Sequence, residues 1–122
     1  MPSLEIVTSR LCLLPFTQEI CQQVLAGEYT ALEHTGITPA PGWPDEETLD
    51  TLPKILKNLA KVPAPTGFES WMVLKKENMT LIGDASFKGV PNPNGEVDLG
   101  YGIIAAEQQK GYGLEVAQAL TN

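Results

Sequence analysis

The pattern of apolar and polar positions divides the chain into a mixed first half and a strand-rich second half. Residues 11–16 form a short apolar run that ends beside a proline, which suits a strand, because strand ends tolerate a residue without an N–H. Thr17 fits a helix N-cap, and Ile20, Val24 and Leu25 share one face of a short amphipathic helix running to about Ala26. Between Gly36 and Pro44 two glycines and three prolines crowd around Trp43, so no regular structure is expected there. Asp45 can cap a second helix, with Glu46 and Glu47 favourable in its first turn. Leu49, Leu52, Ile55, Leu56 and Leu59 then recur with helical period to about Lys61. Pro53 falls inside that pattern, and it predicts a kink or a helix that starts there.

Beyond Pro63, Pro65 and Gly67 the period shortens to two. Three runs, 68–74, 80–88 and 96–104, are separated by a Lys-Lys-Glu-Asn turn and a Pro-Asn-Pro-Asn-Gly loop, which implies an antiparallel meander. In the last run Val97, Leu99, Tyr101 and Ile103 alternate toward the core, while Glu96, Asp98, Gly100 and Gly102 occupy the other face. Two glycines there leave a patch that another backbone or a ligand can approach closely. The expected architecture is one α/β (α+β) domain over residues 1–122. It has a mostly antiparallel sheet of about four strands, two helices after the first strand and a short helix after the fourth.

Composition narrows the function classes. With 15 acidic against 8 basic residues the formal net charge is −7, which disfavours a nucleic-acid partner, since phosphate backbones are gripped mainly by Lys and Arg. Cys12 and Cys21 are too few for a disulfide framework and show no metal-type clustering, so no metal site is expected. Neither a long apolar run nor a leader pattern occurs, so the chain reads as a cytoplasmic protein with no membrane partner. His34, the one histidine, has no partner visible in the sequence and reads as a surface or capping residue.

The chemistry concentrates in Gln108-Gln109-Lys110-Gly111-Tyr112-Gly113, which joins the last strand to the periodic run Leu114, Ala117, Leu120. A strand, a glycine loop and a helix start in that order aim successive backbone N–H groups into one space, where a pyrophosphate could be held without a basic side chain. The loop is neither a dinucleotide fingerprint nor a P-loop, because Gly111 is followed by Tyr112. Taken alone, a glycine pair ahead of a helix is equally a structural turn.

Its setting resembles the Gln/Arg-x-x-Gly-x-Gly/Ala loop of the GCN5-related N-acetyltransferases. The stretches Leu81 to Gly89, Glu96 to Ile103 and Lys110 to Glu115, together with Thr8 to Leu11 and Gly42-Trp43-Pro44, are similar to the branch of that family containing the ribosomal-protein alanine acetyltransferases. The resemblance implies acetyl transfer from acetyl-coenzyme A to a primary amine, either a protein amino terminus or a small molecule, by direct attack. It implies that Ile103 and Ile104 bind the pantetheine amides and that Gln108, Gln109, Lys110, Gly111, Tyr112 and Gly113 wrap the pyrophosphate. Asp98, with Glu96 behind it, would be the general base. Trp43 either lines the acceptor pocket or anchors the core.

Family members continue for some tens of residues past the point where this sequence stops. The resemblance therefore also implies an unpaired sheet edge suited to homo-oligomer formation, and an alternative role as a non-catalytic module that binds coenzyme A weakly or acts through self-association.

Overall fold

The computed structural model describes residues 5–63, 70–88 and 98–121. Its elements follow in the order β1 (Ile6–Val7), β2 (Leu11–Pro15), α1 (Gln18–Leu25), α2 (Thr30–His34), β3 (Thr38–Pro39), α3 (Glu46–Leu59), β4 (Ser70–Lys75), β5 (Thr80–Lys88), β6 (Asp98–Ile103) and α4 (Tyr112–Thr121). One 3-10 turn, Ala105–Glu107, links β6 to the glycine loop.

Local signals act as the sequence predicts. The Thr17 hydroxyl accepts the Ile20 N–H at 3.1 Å and opens α1. The Asp45 Oδ1 accepts the Thr48 N–H at 2.8 Å and the Thr48 hydroxyl at 2.6 Å, opening α3. Each cap satisfies one of the amides that a first helical turn leaves without a partner.

The meander also forms: β4, β5 and β6 pair antiparallel in sequence order. The runs expected at 68–74 and 96–104 begin in residues outside those described, and their visible parts are β4 and β6.

Several expectations are corrected. The sheet has six strands rather than about four, because two-residue β1 and β3 add to its edges. β3 lies within the proline-rich stretch expected to be irregular, and it is held by parallel pairing of Thr38 with Thr80 and Pro39 with Leu81. The short helix α2 was not indicated by any cap, and none is made: Tyr29 leads into it without a side-chain hydrogen bond. Of the two expectations at Pro53, a helix that starts there is excluded, since α3 runs through it from Glu46. Pro53 is exposed, as is Leu49 one turn before it, so the missing hydrogen bond lies on the solvent side.

The core is continuous across the sheet and the helices. Leu11, Leu13 and Phe16, Leu32 and Ile37, Leu52, Met72 to Leu74, Leu81 and Ile82 are all sealed from solvent. Cys12 and Cys21 are free and buried within it, and burial pushes the Cys21 thiol up to about 12. His34 is exposed in the last turn of α2.

Leu81 and Ile82 both face inward because the register slips there. Val73 pairs with Gly83 but Leu74 pairs with Leu81, so Ile82 is an extra residue on β5. Such a bulge twists its strand and re-aims the residues that follow. Those residues are Gly83, Asp84 and Ala85, which pair with Ile103, Gly102 and Tyr101 of β6.

Candidate functional site

The backbone of β6 divides its polar groups between two directions. The Ile104 N–H donates to the Ile82 carbonyl at 3.0 Å, so that amide is committed to the sheet. By alternation, the N–H and C=O groups of Tyr101 and Ile103 face the outer edge, where no strand pairs among the described residues. The Ile103 carbonyl accepts the Gln108 side-chain amide at 2.8 Å. Of the two residues expected to meet pantetheine amides, Ile103 thus keeps an outward N–H, and Ile104 does not.

The glycine loop turns sharply after that point. Gln109 and Gly111 both have positive φ, 64° and 82°. Alternating left- and right-handed residues curl a backbone so that its amides converge. The N–H groups of residues 109 to 114 find no hydrogen-bond partner among the described residues; the first accepted amide after them is that of Glu115, at 3.1 Å from the Gly111 carbonyl. These amides stand at the start of α4, where the helix dipole adds positive potential. A groove of about 370 Å³ opens in front of them, lined by Tyr101 to Ile103 and by residues 107 to 109 and 111 to 114.

Ion pairs beside the loop hold it in place. Lys110 and Lys75 reach Glu107 Oε1 at 3.1 and 3.3 Å. Burial alone would raise the Glu107 carboxyl, but the hydrogen bonds from Lys110 and Lys75 outweigh it and keep that group ionised below its ordinary value. The Lys110 charge is therefore engaged outside the cradle.

Arg10 spans the loop's other flank. Its Nη1 donates to the Lys110 carbonyl at 2.7 Å, its Nε to Glu115 Oε1 at 2.7 Å, and its guanidinium lies 4.5 Å from the centre of the Tyr112 ring. Tyr112 is buried, and Thr8 donates a short hydrogen bond to the same Glu115 carboxylate.

Burial would raise the Glu115 carboxyl as well, and the hydrogen bonds from Thr8 and Arg10 outweigh it and lower it. A depressed carboxylate contributes stability that is present above its unfolded value and lost as pH falls through the folded one. Glu115→Gln should therefore cost about 1 kcal/mol at pH 7, discounted for the half-exposed Arg10. In urea melts the gap between the two proteins should narrow as pH falls through the lowered pKa of the folded carboxylate and close once wild-type Glu115 is protonated. A gap that persisted beyond that point would mean that packing, not charge, is what Glu115 supplies.

A second cleft opens next to the groove, under the start of α3. Asp45, Glu47, Thr48, Thr51, Asp84, Ser86, Gly100, Tyr101 and Gly102 form its walls. Asp84 stands across from Gly102, and a Cβ placed on that glycine would sit 3.6 Å from Asp84 Oδ1, so the carboxylate is bare toward the strand. It has no hydrogen bond or ion pair among the described residues. Burial, followed by the like charges of Asp45 and Glu47, pushes it up to about 6. This cleft and the groove meet at Glu47, Tyr101 and Gly102.

Other expected site residues fall elsewhere. Glu96 lies outside the described residues, and Asp98 sits at the far end of β6, in register with Lys88. Trp43 is 5% exposed and belongs to the core, so it takes the anchoring alternative and not a place on the acceptor wall. Tyr101, expected to point into the core, is 52% exposed. Its ring lies beside Gly113, where a Cβ would come within 2.4 Å of it, so the missing side chain on α4 lets the tyrosine stay at the surface. Asp84, Arg10 and Glu115 went unnoticed in the sequence. The available sign for Asp84 was a lone charge inside the strand stretch Leu81 to Phe87.

A family model described as an acetyltransferase (GNAT) domain matches residues 10–122. The chain is 29% identical over 115 residues to the uncharacterized N-acetyltransferase YjdG of Bacillus subtilis, covering 94% of this chain and 68% of that protein. Among solved structures, a GnaT-family acetyltransferase from Bordetella pertussis superposes with a TM-score of 0.60 at 19% identity, over 97% of this chain and 69% of that one. The ribosomal L7/L12 alpha-N-protein acetyltransferase RimL, in complex with coenzyme A, superposes with a TM-score of 0.56 at 18% identity, over 97% of this chain and 66% of that one. The chain thus spans about two thirds of the length of these proteins.

Proposed function

The chain belongs to the acetyltransferase (GNAT) domain family, and from that premise we propose that it carries an acetyl group from acetyl-coenzyme A to a primary amine in a ternary complex. The observation that carries this reading is the run of six unpartnered amides, residues 109 to 114, at the mouth of α4. A diphosphate placed there accepts several main-chain hydrogen bonds without needing a lysine, which suits a chain of net charge −7. The outward amides of Tyr101 and Ile103 offer an extended, amide-bearing arm a strand-like edge to pair with. A thioester held beside that edge could have its carbonyl polarised by an N–H, and an amine entering from the cleft under α3 could attack it.

The acceptor is a protein amino terminus or a small amine; the ribosomal-protein acetyltransferase among the structural neighbours favours the first. No described helix is long and apolar enough to cross a membrane. Asp98, with Glu96 behind it, is one candidate proton acceptor, on the grounds of sequence alternation alone; Asp84, in the cleft across from Gly102, is the other.

Melting the protein with and without acetyl-coenzyme A tests the reading. Ligand at a hundred times its dissociation constant should add about 2.7 kcal/mol of stability. Addition of an amine should then release free thiol, read with a thiol-reactive dye. A shift without thiol release would support a non-catalytic module that binds coenzyme A, and no shift at millimolar ligand would sink both the enzyme and that module, leaving only kinship of fold.

A further inference from the structure

We propose that Asp84 takes the proton from the acceptor amine as it attacks, and that the cleft it floors admits primary amines with no anionic group nearby. The proposal rests on the acetyltransferase reading above and names the acceptor side of the same site.

Three independent features place the group. The Asp84–Gly102 pairing sets the carboxylate against a strand residue with no side chain, at the level where cleft and groove share Glu47, Tyr101 and Gly102. An amine contacting Asp84 is therefore beside the edge along which the acyl donor lies. Asp98 pairs with Lys88, four residues back along β6, which at about 3.3 Å per residue is roughly 13 Å away.

Asp84 also lacks any hydrogen bond or ion pair among the described residues, although partly buried carboxylates are normally paired. The titratable groups that face it are Asp45 and Glu47 from α3 and Tyr101 from β6, none of which is a cation. A positively charged or proton-donating ligand would complete this arrangement, and an anion would be repelled by it.

The chemistry balances with no further reagent. The lone pair of the neutral amine forms the N–C bond to the thioester carbonyl, and the nitrogen, now positively charged, passes a proton to the Asp84 carboxylate. The C–S bond then breaks, the thiolate leaves with the bonding pair and takes up that proton, and Asp84 returns ionised. Amide and free thiol are the products. A carboxylate raised to about 6 is ionised at neutral pH yet more basic than an ordinary aspartate, which suits this transfer.

A raised carboxyl has a consequence that a structural aspartate lacks. Its stabilising contribution is present at pH below the unfolded value and is lost as pH rises through the folded one. Asp84→Asn should therefore melt higher than wild type at pH 8 and equal to it at pH 4.

The test compares full-length wild type and D84N with acetyl-coenzyme A and a short aliphatic diamine. D84N should lose at least a hundredfold in kcat, keep the acetyl-coenzyme A thermal shift and lose the acid limb near pH 6 from its kcat profile. In the wild type, kcat/KM for the diamine should exceed that for an amino acid of similar length at least tenfold. A D84N protein within threefold of wild-type kcat, one that melts lower at pH 8, or a preference for the amino acid overturns the proposal alone. A wild-type protein that releases no thiol overturns it together with the reading beneath it.

Discussion

Replacing Gly83 with alanine is expected to lower the melting temperature by roughly 10 °C, whereas the same change at Gly102, its near neighbour across the ladder, should be almost silent. A Cβ on Gly83 would lie 2.2 Å from the Gly102 carbonyl oxygen, 2.9 Å from Ile103 Cδ1 and 3.1 Å from Ile103 Cα. Two of those three atoms are backbone, and no rotamer change can move them. β6 would have to retreat by about an ångström, breaking the pairs that hold its end to β5. Overpacking of this kind costs about 3 kcal/mol, and in a domain of this size that is worth a shift of the stated order. Gly102 presents only an ordinary 3.6 Å contact to Asp84 Oδ1. Equal melting temperatures for the two variants would mean that the strands are not as close as the Ile82 bulge makes them. Because groove and cleft both use β6, Gly83→Ala should also abolish any response to acetyl-coenzyme A.

The contrast between these glycines shows where sequence reasoning reaches its limit. Both occur in strand-like stretches, and nothing in their neighbours distinguishes them; only the register slip that makes Ile82 an extra residue brings Gly83 against a carbonyl. Features decided within a few residues were legible. Thr17 and Asp45 cap their helices because the accepting oxygen and the donating amide are three positions apart. The glycine loop could be read because left-handed backbone is a local preference.

Features decided by distant contact were not. β3 is a strand only because Thr38 meets Thr80, and two residues cannot announce a parallel pairing. Arg10 and Glu115 are 105 positions apart, so their bond to one another, and through it the loop's anchorage, has no trace in either neighbourhood. Asp84 was passed over for the same reason. Alternation along β6 identified its bare glycine face, but only the cross-strand register says which carboxylate stands opposite. Tyr101 followed the alternation and was assigned to the core, yet Gly113 in the first turn of α4 leaves room for the ring near solvent.

The loop itself supports the second large effect: Gly111→Val should remove the thermal response to acetyl-coenzyme A, while Lys110→Ala should keep it. At φ +82° a branched residue is strained by about 1–2 kcal/mol. The apo protein should therefore melt a few degrees lower rather than unchanged. The nearest atom to the new Cβ is Arg10 Nη2 at 3.3 Å, the end of a flexible side chain that can give way, so the fold survives. What does not survive is the direction of the amides. If relaxation of the strained residue turns two of them away from a diphosphate, the loss is about 3–6 kcal/mol at the strength of charge-assisted hydrogen bonds, or roughly two to four decades in Kd. Ligand at a concentration that saturates the wild type would then leave the variant mostly empty. Lys110 offers the opposite case, since its ammonium is bonded to Glu107 and its contribution to the loop is the carbonyl held by Arg10. Removing its side chain takes a charge from beside the loop and nothing from its mouth. If Lys110→Ala abolished the shift and Gly111→Val preserved it, the diphosphate would be held by side-chain charge, and the bare amides at the head of α4 would have no ligand to explain them.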